Sequence, residues 1–471
     1  MLEAARAGTL DAFWPRARDP VRDVNRFFRS NFRRSAAAAG IYLSVGFGFL
    51  ATVLTKRQLD TFHFGLLSTV IVSAGFFQTL LDFTAEEALV KYGFDYTAAQ
   101  DWGRLRRLFR TALLVKAAGG LLAMVVLAAI APFADQIFSG TGLEVPFLIA
   151  SLLPFLQSPE GVSSAALILH GRYDVRGWML AVSMALRLAG LAIGAHYGVT
   201  EAVIGLVVAQ AAATIVLGVA GLEAFRRFPH AEHTELGQHR RGILGFVVQS
   251  SLATGVLSLR GTLSPILLGV VTNPTELGYF RIAQSPQNGF ASLSSPVRLI
   301  MLTEQTRDWS RGAFDSVFAS LRRYMVGATA LMAVVVPPLY VFMPDLIRIV
   351  FYPGKDGAAQ SSAVVGAARF ILVAGALQVI WGWSKSFPVS IGRPGLRVLA
   401  HGVESIVLVP LVIAFGVAWG ATGAGAAVLV STVAFCILWT VLLVRIRRAP
   451  VVSAATVPPP NAVEAEASAG L

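Results

Sequence analysis

Asp101-Trp102-Gly103-Arg104, then Gly171-Arg172 with Arg176, then Tyr197-Gly198-Val199-Thr200-Glu201-Ala202 recur in the same order. Their counterparts are Asp308-Trp309-Ser310-Arg311, Gly392-Arg393 with Arg397, and Trp419-Gly420-Ala421-Thr422-Gly423-Ala424. The copies lie about 210 to 220 positions apart, close to half the chain. Between these signatures run apolar stretches of roughly 18 to 25 residues, each long enough to cross a hydrocarbon core about 30 Å thick. A repeat of this length in such a chain means that one membrane-spanning unit was duplicated.

Composition agrees. Hydrophobic residues make up 55% of the chain and charged residues 14%, where a soluble domain carries about 25% charged. The pattern predicts an all-α polytopic membrane protein with about twelve transmembrane helices in two parallel-repeat six-helix lobes. The alternation of an outer-membrane barrel is missing. The expected division is a basic or interfacial N-terminal segment 1–34, a lobe 35–223, a linker 224–242, a lobe 243–445, and a disordered tail 446–471. Residues 20–34 repeat Val21, Val24, Phe28 and Phe32 at helical spacing among arginines, as an interfacial helix or a plain juxtamembrane stop signal would. No leader peptide is expected, because the first apolar run begins near Ser35 after that basic segment.

The net charge of +12 follows topology and does not point to nucleic acid. Alternate connecting segments are rich in arginine, among them Arg26 to Arg34, Arg104 to Arg110, Arg226 to Arg241, Arg307 to Arg323, Lys385 to Arg397, and Arg445 to Arg448. The other set holds Lys56, Arg57, Arg348 and Lys355. The asymmetry predicts a cytoplasmic membrane protein with both termini in the cytoplasm. An even number of spans per half gives the two halves the same orientation.

Four arginines fall inside apolar spans: Arg187, Arg260, Arg281 and Arg369. Each costs about 2.5–3.5 kcal/mol at mid-bilayer, so together they imply an aqueous cavity or internal partners. Arg281, Gln284 and Asn288 share one helical face, beside a break expected at Pro286. These six are the candidate substrate-binding residues. Planar guanidinium groups suit phosphate oxygens and repel cations. Gln78, Asp82 and Glu86 are spaced to line another face; with Glu160 these carboxylates are candidates for ion coupling, or for pairing with Lys91 and the loop arginines. His230, His233 and His239 read as a solvated loop and not as a metal site. No nucleotide, metallohydrolase or nucleophile-elbow motif is present, so no enzyme activity and no cofactor are expected. Cys436 is the single cysteine and excludes an internal disulfide.

Three stretches resemble the polysaccharide transporter and lipid-linked oligosaccharide flippase family of the multidrug/oligosaccharidyl-lipid/polysaccharide (MOP) exporter superfamily. They are Phe64-Gly65-Leu66-Leu67 with Asp82-Phe83-Thr84 and Ala88 to Tyr92; the segment Asp101 to Arg110; and Ile266-Leu267-Leu268-Gly269 with Glu276 to Phe280. The resemblance spans roughly residues 30–445, with Thr84 where a glycine is usual. It implies two lobes in a V, rocker-switch alternating access, and a polyprenyl-pyrophosphate-linked oligosaccharide as substrate. It also implies a cationic central cavity, with Arg281 where such a residue is expected. The bilayer, and glycosyltransferases or a polymerase of the same pathway, are the implied partners. Lipid II flippases carry two further helices, which argues against a peptidoglycan role. The alternatives are a multidrug-type small-molecule exporter and a non-transporting scaffold for glycosyltransferases.

Overall fold

The computed structural model describes the backbone of residues 20–448 apart from 233, 238, 294–300, 302–303, 310, 354–356 and 394. It describes their side chains apart from 20–37, 253, 256–260, 291–293 and 357–361. Most of the expected tail, the side chains of segment 20–34 and His233 lie outside the described residues.

The described residues are helical, without strands. In the first half come α1 (Pro20–Gln58), α2 (Thr61–Leu81), α3 (Ala85–Ala98) and α4 (Trp102–Ile130), followed by the short α5 (Ala134–Ile137). Then come α6 (Glu144–Ala150) and α7 (Leu152–Leu169), which together form one span, α8 (Tyr173–Ala195) and α9 (Val199–Arg226). The second half has α10 (His239–Val271), α11 (Pro274–Ala283), α12 (Ser285–Leu293), and a short α13 over 304–309. It closes with α14 (Phe314–Val341), α15 (Met343–Phe351), α16 (Gly357–Ile380), α17 (Phe387–Ser390) and α18 (Gly395–Arg448).

Nine of the described helices are long and apolar enough to cross a membrane. One of them, α18, bends at Trp419 and Gly420, whose backbone is not helical, and so contains two crossings. With α10 and the broken pair α11–α12, the described helices supply the twelve expected crossings. The turns 58–61 and 271–274 and the end of α15 meet at the arginine-poor end.

Local chemistry sets the helix ends. Asp60 caps α2 by accepting from His63 N at 2.7 Å. Burial pushes its carboxyl up, but the His63 backbone and ring bonds and the charges of His63 and Lys56 hold it below the usual carboxylate range. Asp101 caps α4 through Arg104 N, and Asn273 caps α11 through Glu276 N, both at 3.0 Å. Gly171 and Gly392 stop their helices in the left-handed conformation, with φ of 66° and 71°. Each closes the same pair of bonds: Gly171 N to Ile168 O and Arg172 N to Leu167 O; Gly392 N to Val389 O and Arg393 N to Pro388 O. The Gly-Arg repeat is a repeated turn.

The Asp-Trp repeat is not. Asp101 stands at the start of α4, whereas Asp308 lies in α13, and its carbonyl accepts from Ala313 N just before α14 begins. The residue that matches Asp308 in this turn is Tyr96, whose carbonyl accepts from Asp101 N.

Helices approach through small residues, as membrane helices do. A Cβ on Gly190 of α8 would fall 2.2 Å from Gly205 O of α9. The two halves meet in the same way: a Cβ on Gly65 of α2 would fall 1.8 Å from Pro274 O, and one on Gly278 of α11 would lie 2.8 Å from Thr61 O. Arg57 ties the same end by donating to Val350 O at 2.8 Å and Ile349 O at 2.9 Å. Thr61 faces the Tyr352 hydroxyl at 3.4 Å, and burial pushes that hydroxyl up to about 12. At the opposite end α10 lies on α3, where Ser251 Oγ accepts from Thr84 N at 3.0 Å and Phe246 packs edge-on to Tyr92.

Candidate functional site

A cavity of about 720 Å³ lies between α1, α8, α11, α12, α14, α15 and α16. A second of about 250 Å³ lies between α1, α2, α7, α8, α9 and α11. Gly48, Thr52, Met184 and Arg281 border both, so they form one continuous space across the two halves. Among the described lining residues the charged ones are Arg187 and Arg281.

Arg187 is fixed from behind. Its Nε donates to Gln210 Oε1 at 2.9 Å and its Nη2 bonds to the same oxygen. Gln157 Nε2 shares that acceptor at 2.7 Å, and Gln78 bonds to Gln157 in turn. Gln210 Nε2 donates to Glu160 Oε1 at 2.6 Å and to Thr214 Oγ1 at 2.9 Å. The close approach of α8 and α9 at Gly190 and Gly205 brings Gln210, which is fully buried, against Arg187. Glu160 thus balances Arg187 through an amide, and this orients the guanidinium.

Arg281 is held more loosely. Its Nη1 donates to Gln284 Oε1 at 3.3 Å. Among the described residues no carboxylate lies within ion-pair distance of it. It sits just before the point where α11 ends and α12 begins, beside Pro286, where a proline removes a helical bond. Asn288 lines the larger cavity from α12, and Gln284 is buried at the break.

The expected convergence of four arginines is only partly met. Arg369 turns to α14: its Nε donates to Tyr340 O at 3.2 Å and its guanidinium lies 4.8 Å from the Tyr340 ring centroid. It lines neither cavity, because mid-depth fixes a level in the membrane and not a helix face. The side chain of Arg260, on α10, lies outside the described residues.

Gln78, Asp82 and Glu86 do not share a helical face. α2 stops at Leu81, Asp82 is extended, and Glu86 belongs to the first turn of α3. Both carboxylates nevertheless meet at one group that the sequence reading passed over. Lys116 of α4 is buried, pairs with Asp82, and lies 3.0 Å from Glu86. Lys91, the partner expected for them, instead lies over the Phe246 and Tyr92 rings. Lys116 stands alone in an apolar run, and that buried cation together with two acids four residues apart, Asp82 and Glu86, was the signal that could have found the pairing. Gln210 gave none beyond being a lone amide among alanines.

The family described as polysaccharide biosynthesis protein matches residues 35–296. Among curated proteins none matches the chain. Solved structures of similar fold include the lipid II flippase MurJ in an inward-closed conformation (TM-score 0.69, 14% identity, 88% of either chain covered). An inward-facing multidrug resistance MATE family transporter of the MOP superfamily gives a TM-score of 0.66 at 13% identity, over 89% of this chain and 98% of that one. A MOP superfamily transporter from Pyrococcus furiosus gives 0.61 at 11%, over 89% and 96%. At these identities the likeness concerns the fold. The chain is a multi-pass membrane protein with the fold of MOP transporters, and it belongs to the polysaccharide biosynthesis protein family.

Proposed function

We propose that the chain is a flippase. It carries a polyprenyl-pyrophosphate-linked oligosaccharide across the cytoplasmic membrane for surface polysaccharide assembly, alongside the glycosyltransferases or polymerase of that pathway. The lobes 35–223 and 243–445, joined by the linker 224–242, rock about the shared cavity, with both termini in the cytoplasm. The observation that carries this reading is Arg281, a half-buried cation on the cavity wall with no carboxylate to neutralise it among the described residues. An anionic headgroup supplies the missing charge, and a guanidinium can take two phosphate oxygens at once. Arg187, pre-oriented by Gln210, gives a second contact from the other half, while the lipid tail stays in the bilayer. Binding then favours the conformation in which both arginines reach the headgroup. Asp82 and Glu86, which share one lysine, and Glu160, which balances Arg187, are the proposed points of ion coupling.

The test is translocation of a fluorescent polyprenyl-pyrophosphate sugar in proteoliposomes, with and without an ion gradient. Arg281→Ala is expected to abolish movement at unchanged protein level. Normal movement in that variant would sink the arginine mechanism. Export of an organic cation instead would favour a multidrug-type exporter, which the positive lining argues against.

A further inference from the structure

A separate groove of about 450 Å³ lies between α4, α7 and α9, toward the arginine-rich end. It shares no described lining residue with the central cavity. Leu113, Val162 and Leu222 are among its apolar walls. Its floor exists because α9 carries glycines there: at Gly218 an added Cβ would meet nothing within 4 Å, and at Gly221 the helix lies directly against Ser163 of α7.

Arg106 and Arg110 line the groove one turn apart on α4, Arg106 beside Phe225 and Arg110 about 6 Å further along. Arg106 is fixed in place: Nε donates to Pro229 O at 3.1 Å and Nη2 to Phe228 O at 3.2 Å, with the guanidinium 5.0 Å from the Phe225 ring centroid. Arg110 is exposed and bonds to no described residue. Among the described residues no carboxylate lines the groove. From Phe225 down to Gly218 the helical rise gives a depth of about 10 Å. That is about two thirds of one leaflet of a hydrocarbon core about 30 Å thick.

The geometry points to a binding site for one anionic glycerophospholipid of the leaflet at the arginine-rich end, with its phosphate at Arg110 and Arg106 and an acyl chain along Gly218 and Gly221. Two cations beside an apolar slot complement a negative headgroup with its chain, and basic pockets between transmembrane helices recognise such headgroups. A zwitterionic lipid brings its own cation beside the phosphate and so leaves the net positive charge of the site unbalanced. The tail of a molecule held in the central cavity has no lining in common with this slot.

Native mass spectrometry of the full chain in detergent, with added phosphatidylglycerol or phosphatidylcholine, tests the site. Wild type is expected to retain phosphatidylglycerol preferentially. Arg110→Gln should weaken that retention about fivefold, the effect of one arginine near the headgroup layer, and leave phosphatidylcholine unchanged. Gly218→Leu, whose Cβ would meet nothing within 4 Å and whose side chain would enter the slot, should remove the preferred adduct while the melting temperature holds. Arg281→Ala should leave it intact. Equal retention of the two lipids by wild type, or unchanged phosphatidylglycerol binding in both groove variants, would overturn the proposal. So would a polyprenyl phosphate that outcompetes phosphatidylglycerol in wild type and is lost in Gly218→Leu.

Discussion

Lys116 Nζ lies 3.0 Å from Glu86 Oε2, and the same ammonium pairs with Asp82, so one buried cation holds the acids on both sides of the α2–α3 break. Lys116→Met strands two carboxylates in the bundle. Both are about a third exposed, so the cost falls below that of a fully buried pair, to about 2 kcal/mol. The expected readout is a lower melting temperature in detergent, restored by adding Asp82→Asn and Glu86→Gln. A single variant that melts with wild type would show that the break is held by something else.

Gln210 is the joint between Arg187 and Glu160. Gln210→Leu leaves a guanidinium and a carboxylate without their shared partner and should destabilise the first half by about 1–3 kcal/mol. It should also weaken retention of the lipid-linked substrate more than Thr214→Val, which removes one bond to Glu160 and one from Gln210 but leaves Gln210 joining Arg187 to Glu160. Thermal melts and substrate binding on the same preparations separate the two effects.

At the arginine-poor end, Gly65→Ala puts a methyl group where Pro274 O now stands. The halves must part there, and interdomain packing is lost. The expected outcome is faster chemical labelling of a cysteine placed at position 61, with labelling at the opposite end unchanged. Equal labelling in both backgrounds would mean that the α2–α11 contact opens regardless.

Gly420 has a φ of 57°, and an added Cβ would lie 2.2 Å from Glu276 Oε2, the oxygen that accepts from Ala421 N at 2.6 Å. Gly420→Ala therefore combines backbone strain with the loss of a cap. It should cost more than Glu276→Gln, which keeps a carbonyl oxygen in place. Comparing the melting temperatures of the two variants checks the order.

The membrane crossings were legible because each needs a long apolar run, and even the bend in α18 was marked by Trp419-Gly420. The Gly171 and Gly392 turns were legible because few residues other than glycine adopt that conformation. The pairing of Asp101 with Asp308 misled, since identical letters fell on opposite sides of the same type of turn. In the site, position within an apolar span singled out Arg187 and Arg281, which line the cavity. Azimuth could not be counted without knowing the neighbours, and so Arg369 was grouped with them. Gln78, Asp82 and Glu86 look like one face only if the helix continues, and it ends at Leu81. What joins Lys116 to its acids, or Gln210 to Arg187, is contact between helices far apart in the chain.

The α2–α11 contact is made by main chain against main chain, at Gly65 and Pro274 and again at Thr61 and Gly278. Beside this backbone contact Phe64 of α2 is buried in one cluster with Leu268, Phe280 and Ile282 of the second half, so parting the seam brings an aromatic ring out of an apolar setting. That end is therefore fastened in three ways at once, by backbone seated on backbone, by one buried ring and by the two bonds Arg57 gives to α15, and opening it means undoing all three.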